Sequence, residues 1–94
     1  MAHLRKKDAI RFVQNEIKVI ADSYIEHTKI RSQAVKTAIW YLGLNLPYDF
    51  ISEQLGLSLS HVKKIRSTHK PIIERLQQDT VELYKQFNLH EELV

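Results

Sequence analysis

The chain has 94 residues but only two glycines and two prolines. An all-β domain of this size needs about six or more turns, and each turn draws on such residues. Helices need few breakers, and a chain rich in Leu, Ile, Lys, Glu and Gln supplies good helix formers. The breakers sit at Gly43-Leu44-Asn45 with Pro47, at Gly56-Leu57-Ser58, at Lys70-Pro71 and, most weakly, at Asn88-Leu89-His90. They divide the chain into about five helical segments. The expected architecture is one all-α domain over residues 1–94, with long amphipathic helices at both ends and a modest core that dimerisation would reinforce.

Hydrophobic residues at 44% and charged residues at 27% place the chain among globular rather than disordered sequences. The absence of cysteine excludes a disulfide framework, thiolate chemistry and a zinc ribbon. No apolar run approaches the ~18 residues of a membrane span. Met1–Asp8 is basic but lacks a following apolar stretch, so no signal peptide is expected and a cytoplasmic location is. The net charge of +3 is unevenly spread. Residues 1–70 hold 12 basic and 6 acidic residues, a net of +6, whereas residues 71–94 hold 2 and 5, a net of −3. A basic body with an acidic tail hints at a polyanionic partner.

Segment one, about Leu4 to Glu26, carries Ile10, Val13, Ile17, Ile20 and Tyr24 at spacings of 3, 4, 3 and 4. That is a helical stripe, and Phe12 and Val19 are expected to widen it into a core-packing face. Arg5, Lys6, Lys7 and Arg11 at its start form a basic arm that either touches phosphates or is simply solvated. Segment two, about Ser32 to Leu42, is apolar nearly all round and is expected at the centre of the domain. Gly43 is expected to end it in a left-handed conformation. Segment three runs from about Pro47 to Leu55, and segment four from Ser58 or Leu59 to His69. Pro71 stops segment four and biases Lys70 away from helix. Segment five, about Pro71 to Phe87, lines one face with Ile73, Leu76, Thr80, Leu83, Tyr84 and Phe87. Its face is long and it is expected to lie outside the compact core, which makes it the preferred dimerisation helix over segment one.

The informative stretch is Tyr48–Ser67. Ile51 and Leu55 are spaced i, i+4, Leu57 fills the turn, and Val62 and Ile65 are spaced i, i+3. Ser52 is small where two helices would cross, Gly56 permits a left-handed turn, and Ser58 can cap the second helix. A helix pair crossing at ~90–120° around a short turn needs these residue types at these spacings. The Ile-Ser…Leu-Gly-Leu-Ser…Val…Ile skeleton resembles the helix-turn-helix DNA-binding superfamily. It is similar to the tri-helical regulators of bacteria, phages and plasmids, including the promoter-reading region of sigma factors. Segment two is placed like the helix preceding the motif in the Trp-repressor-like group. The resemblance covers about 20 residues, roughly 48–67.

With Val62 and Ile65 inward, Leu59 and His69 are expected on the same inner face, and Ser60, Lys64 and Ser67 point outward at ~100° per residue. His61, Lys63 and Thr68 fall on the shoulders. The resemblance implies that segment four enters the major groove, its N-terminal half at the base edges. Ser60, Lys64 and Ser67 are then the first candidates for base contacts, with Lys63 and His61 next and Thr68 beside them. Arg66, nearer the inner face, is expected to reach a phosphate, and Lys70 adds positive charge beside the helix. Ser58, at the N-terminus of segment four, and Tyr48 are candidate phosphate contacts. An inward Leu59 removes one potential reader.

Other chemistry is not encoded. His3, His27, His61, His69 and His90 do not pair at i, i+3 or i+4, so no metal site is expected. No phosphate-cradling loop, nucleophile elbow or paired-carboxylate motif is present, and adjacent Ser60 and His61 diverge by ~100° on a helix. No enzyme activity, cofactor or small-molecule ligand is expected. The expected function is a sequence-specific regulator of transcription, a repressor or activator of bacterial or phage type, that binds double-stranded DNA as a homodimer in the nucleoid. The alternative is a helical protein-interaction module, an inhibitor or adaptor that docks on a protein partner without reading DNA.

Overall fold

The computed structural model of the chain describes residues 5–89. Those residues form five helices and no strand: α1 (Lys6–Glu26), α2 (Gln33–Gly43), α3 (Tyr48–Leu55), α4 (Leu59–Thr68) and α5 (Lys70–Gln86). The segment boundaries expected from the breakers lie within a residue or two of these limits. Leu4, His3, His90 and the Glu91-Glu92 pair lie outside the described residues. Among the described residues, no helix is long and apolar enough to cross a membrane, and no group of three His, Cys, Asp or Glu residues is placed to hold a metal ion.

Helix α2 packs against all four other helices, as its all-round apolarity requires. Ala38, Ile39 and Leu42 are fully buried there. Trp40 keeps its ring half-buried, donates Nε1–H to the Gln14 carbonyl at 2.9 Å, and lies under the Lys18 ammonium. Helices α1 and α5 run antiparallel along α2. Phe12 meets Phe87 edge-on at one end, and the Tyr24 hydroxyl donates to Asp79 at 2.8 Å further along. Arg75 stacks over the Tyr24 ring. Burial and the Asp79 carboxylate raise the Tyr24 pKa above its ordinary value, while Arg75 works against that rise.

Five expectations are corrected by this packing. On α1 the buried residues are Ala9, Val13, Ile17, Ala21 and Ile25, an i, i+4 row. The row follows a ridge along the helix rather than the straight 3–4 seam, so Ile10, Ile20 and Tyr24 fall to its edge. Phe12 and Val19 do not widen the core face: they stay 44% and 63% exposed. Helix α5 is not outside the core. Ile73, Leu76 and Thr80 are fully buried and Tyr84 nearly so, which uses the apolar face expected for a dimer within the chain itself. The break between α4 and α5 falls at His69 (φ −111°), and Lys70 is already helical. Pro71 has no N–H to give the Ser67 carbonyl, so α4 must end, but a proline in the first turn of α5 costs nothing.

The fifth correction concerns Gly43. It is the last residue of α2, and the left-handed position belongs to Asn45 (φ 63°). The Asn45 N–H donates to Leu42 and the Leu46 N–H to Tyr41, which closes α2 in a Schellman turn. Gly43 is small for a different reason. A Cβ built on it would sit 2.6 Å from the Leu76 Cβ, so α2 and α5 touch through the missing side chain. Two α5 side chains then reach the last carbonyls of α2. Gln77 donates to Leu42 at 3.2 Å, and the Thr80 hydroxyl lies 2.9 Å from the oxygens of both Gly43 and Leu76. Every carbonyl of the last turn of α2 is thereby satisfied.

Candidate nucleic-acid interface

Helices α3 and α4 project from this frame as a pair. Pro47 precedes α3 in extended conformation, as a residue outside the first turn must be. The helix stops at Gly56, whose φ of 64° and ψ of 29° are left-handed, and the Leu57 N–H returns to the Ser52 carbonyl at 3.1 Å. The Ser52 hydroxyl donates to the Leu57 carbonyl. Ser52 therefore locks the turn from both its backbone and its side chain, and its small size is used for bonding as well as for clearance. Leu57 is half-buried and packs against the core, as expected for a turn plug. Ser58 caps α4 by accepting the His61 N–H at 3.1 Å. Ile51, Val62 and Ile65 bury the inner sides of the pair.

With that side fixed, the rest of α4 falls into place. Ser60, His61, Lys63, Lys64, Ser67 and Thr68 are all exposed, and Arg66 is half-buried on the shoulder. Lys70, the first residue of α5, is exposed beside them. Lys63, Lys64, Arg66 and Lys70 make no ion pair among the described residues. Between Glu53 and Glu74 the chain has no acidic residue at all. The first turn of α4 is also free of acid, and the amides of Leu59 and Ser60 have no acceptor among the described residues. A helix start of this kind presents N–H donors and the positive end of the helix dipole.

Tyr48 differs from the other candidates. It is half-buried against the core at the start of α3, next to Asp49, which puts negative charge in that first turn. The α3 start is thus a poorer anion site than the α4 start. Leu59 corrects the sequence reading. It is 44% exposed rather than packed inward. The buried direction of α4 lies between Val62 and Ile65, and Leu59 falls about 90° away from it. Phe50 on α3 is also exposed, at 41%, with its ring 6.0 Å from Tyr41. Sequence reasoning passed over Phe50, and no spacing signal marks it, because its helix is short and its neighbours Tyr48 and Ile51 are apolar too.

The basic arm does not join this face. Phe12 contacts Phe87 at the C-terminal end of α5, whereas α4 leaves α5 at the opposite end. The 17 residues of α5, about 25 Å of helix, separate Arg11 and its neighbours from the α4 face. No protein-family model matches the chain, and no curated protein or solved structure shows significant similarity to it.

Proposed function

We propose that the protein binds double-stranded DNA in a sequence-dependent way through α3 and α4, as a homodimeric regulator of transcription in the bacterial or phage manner, resident with the nucleoid and without catalytic activity. The observation that carries this reading is the outer face of α4. With Arg66 on its shoulder and Lys70 beside it, it brings together four cations that make no ion pair among the described residues and a helix start that offers free amides and no competing carboxylate. Groups of this type bind phosphate, and exposed Lys and Ser on a rigid helix can meet base edges in a major groove. In this arrangement Ser60, Lys64 and Ser67 face the bases, Lys63, His61 and Thr68 flank them, and Arg66, Lys70 and the Ser58 end of α4 hold phosphates. Tyr48 is a weaker phosphate contact because of Asp49. Exposed Leu59 adds an apolar contact suited to a thymine methyl group. The pair α3–α4, with α2 behind it, serves as the helix-turn-helix unit.

Selection of binding sites from random duplexes, with the parent and two variants, tests this reading. Lys64→Ala should relax the preference at one position by about 1–3 kcal/mol, whereas Arg66→Ala should weaken all sequences alike. Absence of any enriched sequence would contradict sequence reading. The exposure of Phe50 and Leu59 on the same pair favours one other function, a helical module that docks on a protein partner.

A further inference from the structure

Five large apolar side chains are exposed among the described residues: Phe12, Val19, Phe50, Leu59 and Val81. Four of them stand beside carboxylates. Asp8 and Glu16 lie one helical turn either side of Phe12, and Glu16 and Asp22 do the same for Val19. Asp49 and Glu53 accompany Phe50, and Asp79 and Glu82 accompany Val81. Leu59 differs. The chain has no acidic residue within four positions of it, nor anywhere between Glu53 and Glu74. What shares its side of α4 is cationic. Lys63 and Arg66 follow it at i+4 and i+7, within about 40° of it around the helix. Neither makes an ion pair among the described residues.

An apolar side chain at the head of a cationic row restricts what can cover it. An apolar protein surface laid over Leu59 would also take Lys63 out of water, with no carboxylate in this stretch of the chain to compensate. The partner must offer anions and, between them, a small apolar group. The major groove of a duplex has that combination. Phosphates line it, and among the base edges only carbon 5 of a pyrimidine presents a methyl group. Thymine always carries that methyl, and cytosine carries it when methylated.

We infer that Leu59 makes the protein a sensor of pyrimidine 5-methyl groups, so that a methyl at one base pair strengthens binding whether thymine or 5-methylcytosine carries it. The inference rests on the DNA-binding reading above and adds a means of regulation to it. Leu59 has no polar side-chain atom with which to tell the carbonyl of thymine from the amine of cytosine at carbon 4. It responds to the methyl alone. Methylation of a cytosine at that position therefore tightens binding with no base pair changed. Phe50, with Asp49 and Glu53 beside it, does not share this role.

The test uses the duplex most enriched by selection from random DNA. It is resynthesised with uracil for each thymine in turn, and with cytosine or 5-methylcytosine opposite guanine at the same positions. Uracil differs from thymine only in lacking the methyl. At one position per protomer uracil should weaken binding about fourfold, the effect of exposing one buried methyl group. Cytosine there should bind about fourfold more weakly than 5-methylcytosine. In Leu59→Ala both ratios should fall to one, and in Leu59→Met both should persist. The helical circular dichroism of the two variants should match the parent, because Leu59 is 44% exposed. Three results would overturn the inference and leave DNA binding standing: uracil tolerated at every thymine, 5-methylcytosine binding no better than cytosine, or a Leu59→Ala chain that keeps the methyl effect. A parent that binds no duplex at low salt would defeat the DNA-binding reading itself, and this inference with it.

Discussion

Two joints in this chain turn on a glycine, and they use it in opposite ways. At the α2–α5 joint Gly43 is helical, and the space of its side chain is taken by Leu76. The carbonyls around it are held by Gln77 and Thr80, so that both backbone and polar groups are committed to the fold. At the α3–α4 joint Gly56 is left-handed, and a Cβ there would meet nothing within 4 Å. The cations beyond it on α4 have no intramolecular partner among the described residues. One region spends its polar groups on stability, and the other leaves them available. That contrast locates the candidate interface more firmly than a count of basic residues does, because the basic arm has as many of them and lies at the other end of α5.

The contrast is breakable in order of effect. Gly43→Ala should cost about 2–3 kcal/mol by overpacking against the Leu76 Cβ, which the α5 backbone holds in place. In a domain of this size that lowers the melting temperature by roughly 10 °C or more. Thr80→Val should cost about 1–2 kcal/mol, since it keeps the shape but strands the Gly43 carbonyl in the core. Gly56→Ala should cost about 1 kcal/mol, the left-handed backbone penalty without a clash. Thermal melts of the three variants check the sequence. A Gly56→Ala loss equal to that of Gly43→Ala would mean that the α3–α4 turn is as tightly packed as the α2–α5 joint.

Much of this fold is legible in the sequence, and the misreadings have physical causes. The five helices follow from where the breakers stand, and the inward Val62–Ile65 pair and the Ser58 cap follow from spacing and side-chain chemistry. Gly43 misleads because glycine serves both left-handed turns and close helix contacts, and a single letter does not say which. The true cap, Asn45, sits two residues on. In α1, Ala9 and Ala21 carry the close-packed row, yet small residues add little to an apolar pattern, and Phe12 and Val19 outweigh them. Whether a bulky apolar residue faces its own core depends on the helix across from it, which local periodicity does not contain. Leu59 fails for a simpler reason: one residue at the first turn lies beyond the helices that would cover it. For α5, length and amphipathicity look alike whether the face is filled by the same chain or by another.

The salt dependence of duplex binding tests the central claim most directly, with the parent compared to an Arg66→Ala, Lys70→Ala double variant. The two phosphate-holding cations of each protomer predict a log–log slope of about −2 per protomer, and loss of both should remove most of it. The double variant should keep the helical circular dichroism of the parent, because neither cation has an ion-pair partner among the described residues. A parent that fails to bind duplex even at low salt, or a variant that keeps the full slope, would contradict the account.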